Sequence, residues 1–138
     1  MSLIPILRFY FVPKITVPEF GTFEIDQGKR LVLALEDNGV DISHRCGGNA
    51  QCTTCRVVFT EGEPENITEA EKSLLQSKIE GGEESAKLVR LSCQIIVNQD
   101  MSIEPQMLVS KMDWDEPGKR PEEKVTPPPV WGSKLSSS

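Results

Sequence analysis

No apolar run in this 138-residue chain approaches the roughly 18 residues of a membrane span. The opening stretch "MSLIPILRFYF" has no charged start, no long apolar core and no small-residue cleavage site, so it reads as a strand and not as a secretory signal. A cytoplasmic, reducing setting is therefore expected, in which disulfides are rare. The chain carries no Walker sequence, no GxGxxG and no pair of carboxylates in a hydrolase-like setting. It contains no internal repeat. Apolar residues make up 38% of it, enough for one modest core.

Charge of one sign is scarce in most places. Residues 1–60 hold six basic and six acidic side chains, 85–109 two of each, and 110–138 five of each. The whole net charge of −6 lies in 61–84, where eight Glu stand against Lys72 and Lys78. An acidic block of this kind argues against nucleic acid and anionic membrane as partners. It suits a basic protein face. Glu69, Glu71, Glu80, Glu83 and Glu84 are the expected docking residues, with an ordinary solvated face as the plainer reading.

Along the chain, "ILRFYFV" (6–12) and "EFGTFEI" (19–25) read as two strands of a hairpin. "KRLVLALEDNG" (29–39) favours helix through Leu, Ala and Glu and stops at Asn38-Gly39. "RVVFTEG" (56–62) reads as a strand. The clearest helix is "ITEAEKSLLQSKI" (67–79), with Thr68 and Glu71 in a capping-box pattern and Ala70, Leu74, Leu75 and Ile79 facing inward. Strand-like text returns in "KLVRLSCQIIV" (87–97) and in "MSIEP" (101–105). The order predicts an α+β domain with a mixed sheet over residues 1–109. From 110 to 138 the chain turns to Pro, Ser and charge and is expected to be a flexible tail, with Trp114 and Trp131 unpacked.

Three of the four cysteines crowd into "CGGNAQCTTC", as Cys46, Cys52 and Cys55, and the fourth, Cys93, follows after 37 intervening residues. A disulfide pair conflicts with the expected compartment. A thiol redox pair on Cys52 and Cys55 leaves the other two without a role. Structural zinc has the four soft ligands it needs, but ribbon sites bring two short-spaced pairs and only one is present. An iron–sulfur cluster fits better. Plant-type 2Fe-2S sites use C-x4-C-x2-C and a distant Cys, and here the spacing is C-x5-C-x2-C-x37-C. A 4Fe-4S site wants repeated two-residue gaps, and a Rieske centre needs two His where the chain has only His44. A loop around a small inorganic core also needs close backbone and N–H donors. Gly47, Gly48, Asn49 and Ala50 would provide these, with Thr53 and Thr54 kept small beside the metal. His44 is read as a structural loop residue.

With "DISHRCGGNAQCTTC", the acidic helical stretch after it and "RLSCQI", residues 5–108 resemble the 2Fe-2S ferredoxins, in the branch that includes adrenodoxin and putidaredoxin. The resemblance implies a β-grasp fold: a mixed sheet packed on one main helix, with the cluster near the surface under its loop. It implies one 2Fe-2S cluster, with Cys46 and Cys52 on the outer iron and Cys55 and Cys93 on the inner one. It implies a soluble, monomeric one-electron carrier between a reductase and a terminal oxidoreductase, catalysing no substrate reaction alone. Electron donation to iron–sulfur assembly, redox sensing and structural zinc binding are the alternatives.

Overall fold

A computed structural model describes residues 11–134. The hairpin expected from the sequence is present but shifted. The strands are β1 (Lys14–Val17) and β2 (Gly21–Glu24), antiparallel, with Lys14 opposite Glu24. Pro13 and Pro18 therefore bracket a strand and not a connection. Of the expected strand over 6–12, residues 6–10 lie outside the described residues, and Phe11 and Val12 are in no strand. The alternation of β1 explains its placement, because Ile15 and Val17 are buried while Lys14 and Thr16 face out.

Helix α1 (Leu31–Asp37) follows. Five consecutive residues, Leu31 to Leu35, are sealed from solvent, so this part of the helix is enclosed on all sides and has no polar stripe, and only Glu36 and Asp37 at its end reach solvent. The Leu and Val side chains among them each contribute about 1.5–3 kcal/mol through burial. Gly39, at φ 85°, turns the chain away from the helix end.

The remaining elements are β3 (Arg56–Glu61), β4 (Asn66–Thr68), α2 (Glu69–Glu80), a 3-10 turn at Glu84–Leu88, β5 (Arg90–Leu91), a second 3-10 turn at Ser92–Gln94, β6 (Met101–Pro105) and β7 (Trp131–Ser133). The main sheet runs β2-β1-β6-β3-β5. Within it β6 is parallel to β1 and antiparallel to β3, which makes the sheet mixed as expected. This is the α+β, β-grasp arrangement. One strand expectation is corrected: 87–97 is mostly not a strand, and Cys93 sits on a 3-10 turn held by Leu31 N–H to Ile95 O (2.8 Å) and Val97 N–H to Lys29 O (2.8 Å). Those bonds stitch the turn to the entrance of α1.

Half of the capping box forms. The Thr68 hydroxyl accepts from Glu71 N–H (3.1 Å). The Glu71 side chain turns inward instead of back to the cap, because a buried arginine competes for it. Its carboxylate takes Arg90 Nε–H (2.7 Å) and Leu91 N–H (2.7 Å). On the inner side of α2 only Leu75 is buried among the expected four, while Ala70, Leu74 and Ile79 are half-buried.

The flexible tail expected from composition is laid against the body over its described part. Pro121 and Val125 are buried, and β7 pairs with β4 in a separate two-stranded sheet. Backbone and side-chain bonds to α1 and to the cysteine loop replace the apolar periodicity that the segment lacks. Trp114 is half-buried with Arg45 4.5 Å over its ring, so it too is packed. Among the described residues no helix is long and apolar enough to cross a membrane.

Candidate metal centre

The loop from His44 to Cys55 joins α1 to β3, and its geometry begins with backbone signs. Gly47, Gly48, Ala50 and Thr53 all have positive φ, at 74°, 87°, 56° and 58°. Successive left-handed residues curl the chain and turn amide N–H groups inward. The N–H groups of Cys46, Asn49 and Gln51 point at sulfur: the first to Cys52 Sγ (3.3 Å), the other two to Cys46 Sγ (3.3 and 3.4 Å). The Thr54 hydroxyl lies 3.1 Å from Cys52 Sγ.

The residues expected to supply these donors divide. Asn49 donates as expected. The Gly47 N–H is used by the turn itself, to His44 O (2.8 Å), so its role is curvature. Gly48 is buried, and a Cβ there would stand 2.8 Å from both Arg30 Nη2 and Pro121 Cβ, so only glycine fits. Ala50 contributes its positive φ. Gln51 was not anticipated, since nothing in a polar loop-tip residue signals that its amide faces inward.

The four cysteines stand two and two by burial: Cys46 and Cys52 are half-buried, and Cys55 and Cys93 are buried. A hydrogen bond from Cys52 brings Cys46 down to about 4, with backbone N–H groups assisting, while the same bond and burial push Cys52 up. Cys93 is likewise lowered by Cys55, and Cys55 is raised by that bond and by burial. Ser92 fixes the inner pair, its N–H (3.2 Å) and hydroxyl (2.8 Å) both donating to Cys55 O. Among the described residues no three His, Cys, Asp or Glu side chains converge as a single-ion site.

Three residues that the sequence reading missed surround this arrangement. Arg30, sealed behind the loop, donates to Gly48 O (2.5 Å) and Cys93 O (2.7 Å). Gln94 reaches Gly48 O (3.3 Å) and Cys93 Sγ (3.7 Å). Arg56 holds Thr53 through its carbonyl (3.1 Å) and hydroxyl (2.6 Å). All are polar residues in β-rich or helix-entry text, and only three-dimensional proximity reveals them. His44 is buried, with its Nε2 hydrogen-bonded to Glu36 and its N–H to Pro117 O (2.8 Å), as a structural loop residue would be.

The expected docking residues also divide. Glu69, Glu80 and Glu84 are exposed. Glu83 is half-exposed and paired to Arg56 (2.6 Å). Glu71 is fully buried against Arg90, so it presents no charge to a partner, a correction caused by the pull of Arg90 across the α2–β5 interface.

Comparison with known proteins gives this geometry its context. The family model described as "2Fe-2S iron-sulfur cluster binding domain" matches residues 16–98. One subunit of the Na(+)-translocating NADH-quinone reductase of Methylococcus capsulatus is 39% identical over 82 residues, 59% of this chain and 19% of that protein. Its counterpart in Chlamydia muridarum is 34% identical over 83 residues, 60% of this chain and 18% of that protein. The chain thus spans about a fifth of the length of these curated relatives. Among solved structures, the ISC-like [2Fe-2S] ferredoxin of Pseudomonas putida JCM 20004 superposes with TM-score 0.51 and 28% identity, over 67% of this chain and 90% of that one. The curled loop, the inward amides and the paired thiols suit a 2Fe-2S cluster, and that cluster is the cofactor of the matched family. The chain belongs to the family of 2Fe-2S iron–sulfur cluster binding domains of ferredoxin type.

Proposed function

We propose that Cys46 and Cys52 hold one iron of the cluster and Cys55 and Cys93 the other, and that the protein carries one electron at a time from a reductase to a terminal oxidoreductase. The observation that carries this is the two-and-two grouping of the thiols, one pair half-exposed and one sealed. A binuclear cluster needs two thiolates on each metal; a mononuclear zinc needs four on one. When bound, the cluster supplies a site that takes up and gives back a single electron. The chain's own residues do the rest. The amides of Asn49 and Gln51 offer hydrogen bonds to the sulfur shell. Leu31 to Leu35 keep water from the inner side, and the half-exposed Cys46 and Cys52 leave an edge where an electron can pass to a docked protein.

The exposed Glu69, Glu80 and Glu84 would orient a basic-faced reductase or acceptor, acting mainly on association rate. The carrier is taken to work in the cytoplasm as a monomer, with no nucleic-acid partner. A second reading is favoured by the sequence match to a component of an NADH-quinone reductase: relay of electrons inside or beside such a reductase, not free shuttling. Both readings predict a stoichiometric one-electron reduction. Redox titration of the purified chain should take up one electron per chain. Cys→Ala at any of the four positions should abolish the visible spectrum and much of the fold, because metal binding is coupled to folding. A titration that takes up no electron refutes the carrier. A spectrum that survives Cys93→Ala refutes the ligand set.

A further inference from the structure

The side chain of Arg30 is 1% exposed, yet its partners are all neutral oxygens. Nε donates to Cys93 O (2.7 Å) and Nη2 to Gly48 O (2.5 Å). Nη1 donates to Glu122 O (2.8 Å) and Lys124 O (3.1 Å), and Nη2 also reaches Thr126 O (3.5 Å) and its hydroxyl (3.4 Å). Among the described residues no carboxylate pairs with it. Two of those oxygens belong to the cysteine segments themselves, Cys93 O and the Gly48 O two residues past Cys46, so the charge lies against the metal centre. Gln94 repeats the pattern from the other side, with Nε2 on Thr126 O (2.8 Å) and on Gly48 O (3.3 Å). One guanidinium thus joins the entrance of α1, the cysteine loop, the turn of Cys93 and the C-terminal segment.

We propose that Arg30 is a positioning residue with two linked effects on the metal centre: its buried charge raises the reduction potential of the cluster, and its fan of hydrogen bonds fastens segment 117–126 over the loop as a strap that slows cluster release. The inference rests on the cluster reading above. The potential effect follows from charge alone. One electron from an external reductant makes the thiolate-ligated site more negative. A nearby cation in a low-dielectric interior, not already neutralised by a carboxylate, favours that form over the oxidised one. The strap effect follows from geometry. The carbonyls of 122, 124 and 126 converge on one planar fork, and Pro121 closes on Gly48, so the loop cannot lift while the fork is filled. A lysine ammonium would keep the charge but cannot span these carbonyls.

The experiment uses the full chain carrying its cluster, as wild type, Arg30→Lys, Arg30→Met and Arg30→Gln. Two quantities are read: the midpoint potential, by titration with dithionite followed by EPR, and the rate at which visible absorption decays under an iron chelator. Arg30→Met should lower the reduced-to-oxidised ratio at fixed poise by about tenfold, or ~59 mV for one electron. It should also speed decay several-fold. Arg30→Lys should keep the wild-type midpoint and still decay fast, which a merely structural role would not produce. If Arg30→Met does not assemble, Arg30→Gln, which is also neutral but retains donors, takes its place in the same comparison. A neutral variant with the wild-type midpoint overturns the proposal, as does Arg30→Lys with wild-type decay. A wild-type chain without iron and sulfide would instead sink the cluster reading, before any variant is compared.

Discussion

Among the described residues Arg30 and Arg90 are the two largest side chains sealed from solvent, and they find opposite kinds of partner. Arg90 meets carboxylates. Glu71 takes its Nε–H at 2.7 Å, and Glu63 its Nη1–H at 3.2 Å. Burial works against its charge, but these partners outweigh burial and hold its pKa above the ordinary value. Arg30 meets only carbonyls and a hydroxyl. Burial prevails there over the opposing pull of the nearby cysteines, and the pKa is pressed down without discharging the group. A buried cation closed by carboxylates is a structural clasp. A buried cation left open beside a cluster of thiols acts on whatever charge those thiols hold. The sequence shows two arginines of identical chemistry, and what separates them is the partner each finds across the fold.

The sharpest way to break the Arg90 half of this contrast is Glu71→Gln. It strands a buried guanidinium, and the expected loss is about 3–5 kcal/mol of unfolding free energy, read by denaturant titration. A loss below about 1 kcal/mol would mean that Glu63 alone suffices and that the clasp is not buried in the energetic sense. The next largest effect is expected on removing residues 111–138. Composition predicts a dispensable tail, whereas the bonds from Arg30 and Gln94 predict a thermal midpoint at least about 4 °C lower and faster loss of visible absorption. An unchanged midpoint would restore the flexible-tail reading.

A smaller effect separates exposed from buried glutamates. Replacing Glu69, Glu80 and Glu84 together by Gln should slow reduction by a basic-faced reductase about threefold at low salt and flatten its salt dependence. The reach of these charges falls from about 30 Å at 0.01 M salt to about 10 Å at 0.1 M. Stopped-flow rates that match wild type at low salt would place docking elsewhere. The smallest effect concerns pH. Asp37 is held below its ordinary carboxylate range of 3.8 by hydrogen bonds from Arg120 and Lys29. Because its folded value is depressed, its contribution is full above about 4 and is lost as pH falls through the folded value. Proteolysis within 117–126 should therefore quicken below about pH 4 in wild type and already be quick at neutral pH in Arg120→Ala. Equal rates in both proteins would show that this tether contributes nothing.

Much of the molecule was legible in one dimension because its signals are local. The spacing of Cys46, Cys52 and Cys55, the Thr68 cap, the Asn38-Gly39 stop and the text of β3 and β6 each declare themselves within a few residues. What stayed hidden depends on long separations. Arg30 reaches Thr126 across 96 positions, and Glu71 reaches Arg90 across 19. Backbone carbonyls have no sequence signature, so a segment held through its carbonyls looks like one held by nothing. Likewise, eight Glu within 24 residues read as one charged face until Arg90 and Arg56 draw Glu71, Glu63 and Glu83 toward themselves.

The central claim is a binuclear cluster on two pairs of thiols, and metal analysis of the purified chain with EPR before and after dithionite tests it most directly. The account predicts iron and acid-labile sulfide at about two each per chain, silence when oxidised and a rhombic signal only after reduction. Stoichiometric zinc without sulfide would contradict it.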